Sequence, residues 1–122
     1  MRPCHLLLPV VLALVSPSWA APAAAHAGDY PTSGRVEYVL ECMQKHDGKY
    51  EYLYKCSCVI DRIANALSYD DYVAMSVALR NQGLPGERGG VFRDAAAVKD
   101  MASRYKTIET GASKACAVPQ QP

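Results

Sequence analysis

Hydrophobic side chains recur along this chain at the spacing of an α-helix. The first apolar stripe consists of Val36, Val39, Leu40 and Met43. These positions fall at i, i+3, i+4 and i+7, which place them on one face of an amphipathic helix. Thr32 or Ser33 is expected to cap the N-terminus of this helix. The sequence His-Asp-Gly-Lys after it favours a turn in which Gly48 adopts a positive φ.

A second and a third stripe follow this turn. The second comprises Leu53, Cys56, Ile60, Ile63, Ala64 and Leu67. Its helix is expected to end near Ser68, which has the spacing of a capping box with Asp71 at the start of the next helix. The third stripe comprises Tyr72, Met75, Ser76 and Leu79. Gly83 and Pro85 are expected to end the third helix.

The remaining pattern predicts one irregular loop and one last helix. Residues 83–93 contain four glycines and form the longest expected loop of the domain. Asp94 is the expected N-cap of the last helix, whose apolar positions are Val98, Met101, Tyr105, Ile108 and Ala112. No segment alternates between apolar and polar residues as a strand would. We therefore predict an all-α fold, a small bundle of about four short helices in which the first two form an antiparallel hairpin.

The first twenty residues have the order of a secretory signal peptide. Arg2 supplies a basic start, an apolar run extends from Leu6 to Val15, and the small-x-small ending finishes at Ala20. This apolar run is too short to span a membrane. We predict a signal peptide over 1–20, a flexible lead-in over 21–31, a single helical domain over 32–117 and a tail over 118–122. Cleavage near Ala25 or Ala27 is the alternative to cleavage after Ala20. The expected location is periplasmic or secreted, with no membrane insertion after signal cleavage.

The charges of the chain nearly balance. There are 13 Lys and Arg residues against 12 Asp and Glu residues, and loss of Arg2 with the signal peptide makes the two counts equal. Proteins that bind nucleic acid need several cations to neutralise phosphates, and no basic stripe is present here. We therefore expect no nucleic-acid partner.

Four cysteines remain after the predicted signal peptide: Cys42, Cys56, Cys58 and Cys116. An even number in an exported domain predicts two disulfides. A turn near Gly48 brings Cys42 level with Cys56, so we favour the pairs Cys42–Cys56 and Cys58–Cys116. The pairs Cys42–Cys58 and Cys56–Cys116 remain open. A bond between Cys56 and Cys58 is disfavoured because a helix directs two side chains at this spacing to nearly opposite faces.

The glycine-rich loop is the candidate surface for binding a partner. Its side chains with recognition chemistry are Glu87, Arg88, Phe92 and Arg93. The two arginines have the chemistry to pair with a carboxylate or a phosphate. The alternative is internal: salt bridges tie the loop to the domain, and Phe92 fills part of the core.

A copper or redox role is an alternative function. Cys42, Met43 and His46 are close in sequence, and a thiolate, a thioether and an imidazole suit copper. The Cys56-x-Cys58 pair would then act as free thiols. We favour the interpretation in which Cys42 is oxidised, Met43 packs in the core and His46 lies on the surface. The sequence contains no motif of a known catalytic or cofactor site, so we expect no enzyme activity and no cofactor.

Tyrosines cluster in the same part of the chain. Tyr50, Tyr52 and Tyr54 alternate at the start of the second helix, so they cannot share one face. Tyr38 is expected to stack on one of them across the hairpin. Most of these rings are expected to be half-buried, a usual place for tyrosine in a small domain.

The spacing of the cysteines also supports a resemblance that covers residues 30–94. The motif C-x13-C-x-C followed by the acidic Asp61 resembles a group of small exported bacterial proteins. That group is associated with periplasmic alcohol oxidation by quinoprotein dehydrogenases and their cytochrome partners. The resemblance implies an accessory or assembly role beside an enzyme.

The leading expectation for function is therefore a non-enzymatic periplasmic binding or accessory protein whose partner is another periplasmic protein. The copper or redox factor is the first alternative. A helical stress chaperone or inhibitor is the second.

Overall fold

The computed structural model describes residues 28–120, which fold into five α-helices with no strand among them. The helices are α1 (Thr32–Gln44), α2 (Glu51–Ala66), α3 (Tyr69–Gln82), α4 (Gly86–Asp94) and α5 (Ala96–Ala115). The all-α prediction is confirmed, since the four predicted helices are present as α1, α2, α3 and α5. The predicted signal peptide, most of the lead-in and residues 121–122 lie outside the described part. Within residues 28–120, no helix is long and apolar enough to cross a membrane.

Helices α1 and α2 form the predicted antiparallel hairpin. Cys42 in the last turns of α1 is bonded to Cys56 in the first half of α2, with the two Cα atoms 5.9 Å apart. At the other end of the pair, Arg35 of α1 forms an ion pair with Asp61 of α2. An early residue of one helix thus meets a late residue of the other. The turn between them contains Gly48 at a φ of 65°, as expected.

Helix α2 provides the centre of the core. Its most buried side chains, at most 2% exposed, are Cys56, Val59, Ile60, Ile63 and Ala64, and Leu67 directly after it is equally buried. They pack where α2 meets α1 and α5. The predicted stripe of α2 is confirmed, except that Leu53 is only half-buried. Each fully buried isoleucine of this kind contributes about 1.5–3 kcal/mol through removal of apolar surface from water.

The predicted stripe of α1 is wrong for two of its four residues. Val36 is 49% exposed and Leu40 is 55% exposed. Cys42 must face α2 to reach Cys56, and Leu40 lies about 200° around the helix axis from Cys42. The disulfide therefore sets the rotation of α1. The residues that it buries are Gly34, Tyr38, Val39 and Cys42.

Two of the three predicted N-caps differ from the structure. The Ser68 hydroxyl accepts a hydrogen bond from the Asp71 amide at 3.2 Å, which confirms the cap of α3. Helix α1 starts after Pro31, so Thr32 and Ser33 lie in its first turn and make no cap bond. Helix α5 starts after Ala95, also without a side-chain cap. Pro31 suits the start of α1 because proline has no backbone amide hydrogen that would need a hydrogen-bond partner.

The segment predicted as an irregular loop contains α4. Gly86 begins this helix at a φ of 82°, and Pro85 precedes it. Arg93 donates hydrogen bonds to the Leu84 carbonyl and, at 3.1 Å, to the Gly86 carbonyl. These bonds fold the end of α4 back onto its own start. Asp94, the predicted cap of the last helix, is instead the last residue of α4.

The packed region extends beyond 32–117 at both ends. The Tyr30 ring lies in the core, and its hydroxyl donates a hydrogen bond to the Leu67 carbonyl at 3.2 Å. Val118 is also buried in the core. Cys116 just before it is bonded to Cys58, with the Cα atoms 5.9 Å apart. Both disulfides thus follow the favoured pairing.

Candidate functional site

Helix α1 stands away from α3 and α5. Of the described helices, α1 has no Cα atom within 8 Å of a Cα atom of α3 or α5. The space between them is a cavity of about 310 Å³. Tyr38, Tyr72 and Tyr105 line it from α1, α3 and α5, and we call it the tyrosine cavity. Its volume falls at the lower end of the range for small-molecule sites, about 300–1,000 Å³.

Two contacts hold α1 at this distance from α3. Near the start of α1, the ring of Tyr69 packs on Gly34, where an added Cβ would lie 2.9 Å from ring atoms. Near its end, Arg80 donates two hydrogen bonds to the carboxylate of Glu41, at 2.8 and 2.7 Å. The two helices therefore touch through long side chains at both ends and leave a space between.

The three tyrosine rings lie at steep angles to one another. The centroids of Tyr38 and Tyr72 are 6.5 Å apart with an interplanar angle of 66°. Those of Tyr72 and Tyr105 are 5.9 Å apart with an angle of 55°. Tyr30 also packs on Tyr72, with centroids 5.4 Å apart. All three cavity tyrosines are buried, so their rings are fixed walls of the cavity.

A carboxylate lies beside these phenols. The Tyr38 hydroxyl donates a hydrogen bond to Oε1 of Glu109 at 3.0 Å. Burial, followed by the negative charge of Glu109, raises the pKa of both Tyr38 and Tyr105. Burial also raises the pKa of Tyr72 to about 12, where Glu41 adds to the shift and Arg80 opposes it. At neutral pH all three phenols are therefore protonated and serve as hydrogen-bond donors and acceptors.

The C-terminal segment forms another wall of the tyrosine cavity. Val118, Pro119 and Gln120 line it. The Val118 amide donates to the Ser113 carbonyl at 2.9 Å, and Thr110 donates to the Gln120 side chain at 3.4 Å. The bond between Cys58 and Cys116 anchors the chain directly before this segment. The second disulfide thus positions part of the candidate site.

The residues of the copper alternative have other roles in the structure. Cys42 is oxidised in its disulfide with Cys56, so it offers no thiolate. Met43 is half-buried against the core. The His46 ring is stacked parallel on Tyr52, with centroids 4.1 Å apart. The part of the chain that the structure describes contains no group of three His, Cys, Asp or Glu side chains arranged around a metal position.

Two of the predicted partner-binding residues, Glu87 and Arg93, do not line the tyrosine cavity. Glu87 is exposed on α4. Arg93 is engaged by the carbonyls of Leu84 and Gly86, and no carboxylate is its partner among the described contacts. The side chains of Arg88 and Phe92 lie outside the described part of the structure. Partner binding through these four residues stays a prediction.

Sequence reasoning did not identify the tyrosine cavity. Tyr38 was expected to stack on Tyr50, Tyr52 or Tyr54, but it packs on Tyr72 of α3. Tyr50 and Tyr54 are exposed and contact each other edge to face, with centroids 5.8 Å apart. One signal was present in the sequence: Tyr72 and Tyr105 occupy core positions of their helices, and a buried phenol needs a polar partner or a space for one.

Comparison with known proteins adds no relative to this description. No protein-family model matches the chain, and no curated protein and no solved structure matches it significantly.

Proposed function

We propose that this chain is a non-enzymatic binding or accessory protein of an oxidising compartment, and that its ligand enters the tyrosine cavity. The observation that supports this proposal is the cavity itself, whose walls combine three protonated phenols with two carboxylates from three different helices. Concave sites with a few convergent polar groups are the usual places for small ligands.

The chemistry of the cavity favours binding over catalysis. A general base works best when its pKa lies near the working pH. The pKa of Tyr72 is raised to about 12, and those of Tyr38 and Tyr105 are raised as well. These phenols hold their protons and are therefore poor bases, but they are good hydrogen-bonding groups.

The cysteines support export. All four cysteines among residues 28–120 form two disulfides, and such bonds persist in the periplasm or outside the cell. The order of residues 1–20 supports a signal peptide. The expected partner is another periplasmic protein. The resemblance of the cysteine motif supports a partner from a quinoprotein alcohol-oxidation system.

The proposal is tested by recovering what the cavity retains. We would express the full chain with an affinity tag in a bacterium grown with and without an alcohol as carbon source. The protein is purified from the periplasm and analysed by native mass spectrometry. We expect a bound small molecule or a stoichiometric protein partner on the wild-type chain.

A pair of variants on α3 tests whether the retained small molecule or protein partner is bound at the tyrosine cavity. Ser76 lines the cavity and Ala74 is exposed on the same helix. Ser76→Phe fills the space and is expected to abolish retention, whereas Ala74→Phe is expected to leave it unchanged. A wild-type protein that emerges alone under every growth condition would contradict the proposal. So would equal retention by both variants.

The two alternatives make different predictions for the same purified protein. A copper or redox factor that uses Cys42 and the Cys56-x-Cys58 pair would show free thiols on titration. A stress chaperone would bind an apolar dye more strongly as the pH falls. The binding protein proposed above is expected to show neither.

A further inference from the structure

The walls of the tyrosine cavity have the composition of a cation-binding cage. Tyr38, Tyr72 and Tyr105 surround the space with rings that are 55–66° apart in orientation. The face of an aromatic ring attracts a cation that lies within about 6 Å of its centroid. The three rings line one cavity, and the neighbouring pairs among them lie at steep angles to each other.

Glu109 supplies the negative charge that such a cage requires. Its Oε1 atom accepts the hydrogen bond from Tyr38, which fixes the carboxylate at the cavity wall. Its Oε2 atom has no hydrogen-bond donor among the described residues. That oxygen can therefore face a ligand. Because Glu109 is half-buried, its attraction for a cation is screened less than that of a surface carboxylate.

The basic residues that line the cavity do not make it favour an anion. Arg80 is bound to both oxygens of Glu41 at the rim. His46 is stacked on Tyr52, and Lys45 lies at the C-terminal end of α1. The charge of Glu109 raises the pKa of all three phenols, that of Glu41 raises the pKa of Tyr38 and Tyr72, and Arg80 opposes this effect at Tyr72. An anionic ligand would be repelled at the same place.

We infer that the tyrosine cavity binds a small organic cation, an alkylammonium or quaternary ammonium group, held by the rings of Tyr38, Tyr72 and Tyr105 and by the carboxylate of Glu109. This inference rests on the proposed function, since it assigns a ligand class to the same site. The ammonium group occupies the space between these rings and Glu109.

The test uses choline as the probe and its uncharged carbon isostere as the comparison, with binding measured by calorimetry on the disulfide-bonded protein. We expect the wild-type protein to bind choline at least about tenfold more tightly than the isostere, which is a free-energy difference of about 1.4 kcal/mol. Aromatic proton shifts of the cavity tyrosines in NMR spectra are expected to report the binding.

Two matched variants test whether the negative charge of Glu109 is needed for choline binding. Glu109→Gln keeps the shape and an acceptor for the Tyr38 hydroxyl but removes the charge. We expect it to weaken choline binding about tenfold and to leave the isostere unaffected. Glu37→Gln removes an exposed carboxylate on α1 that does not line the cavity, and this variant is expected to bind choline like the wild type. Thermal unfolding of each variant checks that it is folded.

The outcomes separate this inference from the proposed function. Absence of choline binding, or equal binding by the Glu109→Gln variant, would overturn the cation site. Tighter binding of acetate than of choline would overturn it as well. If ligand or partner retention still depends on Ser76 in those cases, the binding function stands with a different ligand class. If retention is also absent, both proposals fail.

Discussion

Helix α1 meets its neighbours in two very different ways. Toward α2 the backbones approach closely, and Cys42 and Cys56 join them with Cα atoms 5.9 Å apart. Toward α3 and α5 the described Cα atoms stay more than 8 Å apart, and only long side chains cross the gap. The first side is a packed interface and the second is the tyrosine cavity.

The difference follows from the side chains on each side. Small and aliphatic groups such as Val39 and Cys42 allow the close approach of α2. Tyr38 and Glu41 have long, polar-tipped side chains, and they meet Tyr72, Arg80 and Glu109 at their tips. A hydrogen-bonded contact between the ends of long side chains sets the helix axes apart and prevents close packing behind it. Helix α1 therefore packs into the hydrophobic core on the side that faces α2 and lines the tyrosine cavity on the side that faces α3 and α5.

The largest effect on stability is expected from loss of the Cys58–Cys116 disulfide, which anchors the C-terminal wall of the cavity. Replacing Cys58 and Cys116 by alanine removes a cross-link between residues 58 positions apart. In the chain-entropy model this lowers the free energy of unfolding by about 4 kcal/mol, to be measured by urea denaturation. It also releases the C-terminal wall, so the Val118 amide is expected to lose protection from hydrogen exchange. Unchanged protection of Val118 would show that packing alone holds the wall.

A smaller effect on stability is expected from loss of the Cys42–Cys56 disulfide, which joins α1 to α2. Replacing Cys42 and Cys56 by alanine removes a cross-link between residues 14 positions apart, which corresponds to about 3 kcal/mol in the same model. Because this disulfide joins α1 to α2 and the Cys58–Cys116 bond still anchors the C-terminal segment, the Val118 amide is expected to stay protected. The two double variants are controls for each other. Loss of Val118 protection in both would mean that the two sides are not independent.

Alkaline pH is expected to act on the cavity side. Below the ordinary tyrosine pKa of about 10, Tyr72 is protonated in both folded and unfolded chains, so its contribution to stability is fully present. As the pH rises from there through the folded pKa of about 12, the unfolded chain loses its proton first and stability falls. The fall due to this residue is about 1.4 kcal/mol per pH unit.

The Tyr72→Phe variant isolates this contribution. We expect its unfolding free energy, measured by urea denaturation between neutral pH and pH about 11, to decline less steeply than that of the wild type. Tyr54→Phe is the matched control, since that ring is exposed on α2. Parallel pH profiles for the wild type and Tyr72→Phe would contradict the burial of this phenol.

The smallest effect is expected at the rim of the cavity. The ion pair of Arg80 and Glu41 is well exposed, with side chains 61% and 46% accessible. A double-mutant cycle with Arg80→Ala and Glu41→Gln is expected to give a coupling below about 1 kcal/mol that declines at high salt. A coupling above about 2 kcal/mol that resists salt would show that this pair is a main support of α1 on α3.

Much of the packed side was predictable from the sequence. The stripe of α2 was correct because helices cover that face from more than one direction, so nearly every apolar residue on it is buried. The pairing of Cys42 with Cys56 followed from their positions on either side of a turn near Gly48. The burial of α1 was less predictable, since Val36 and Leu40 continue the apolar stripe but lie on the exposed side.

Two features of the structure had little signal in the sequence. Four glycines in residues 83–93 are typical of a loop, yet α4 forms there, with Arg93 hydrogen-bonded to the carbonyls of Leu84 and Gly86 at the start of the helix. The tyrosine cavity depends on residues from three helices that are not consecutive in the chain. Its members are far apart in the chain, so no local spacing marks them as one site.

The sequence by itself determined that the segments of α1, α2, α3 and α5 are helical, which face of α2 is buried and how many disulfides form, because periodicity and cysteine number are properties of the chain. Only the tertiary structure decided how far α1 stands from α3 and α5. That distance depends on which side chains meet across the gap, such as Tyr69 on Gly34 and Arg80 on Glu41. The position of a residue in the sequence determines the direction in which its side chain leaves the helix. Which residue of another helix it then contacts depends on the tertiary fold.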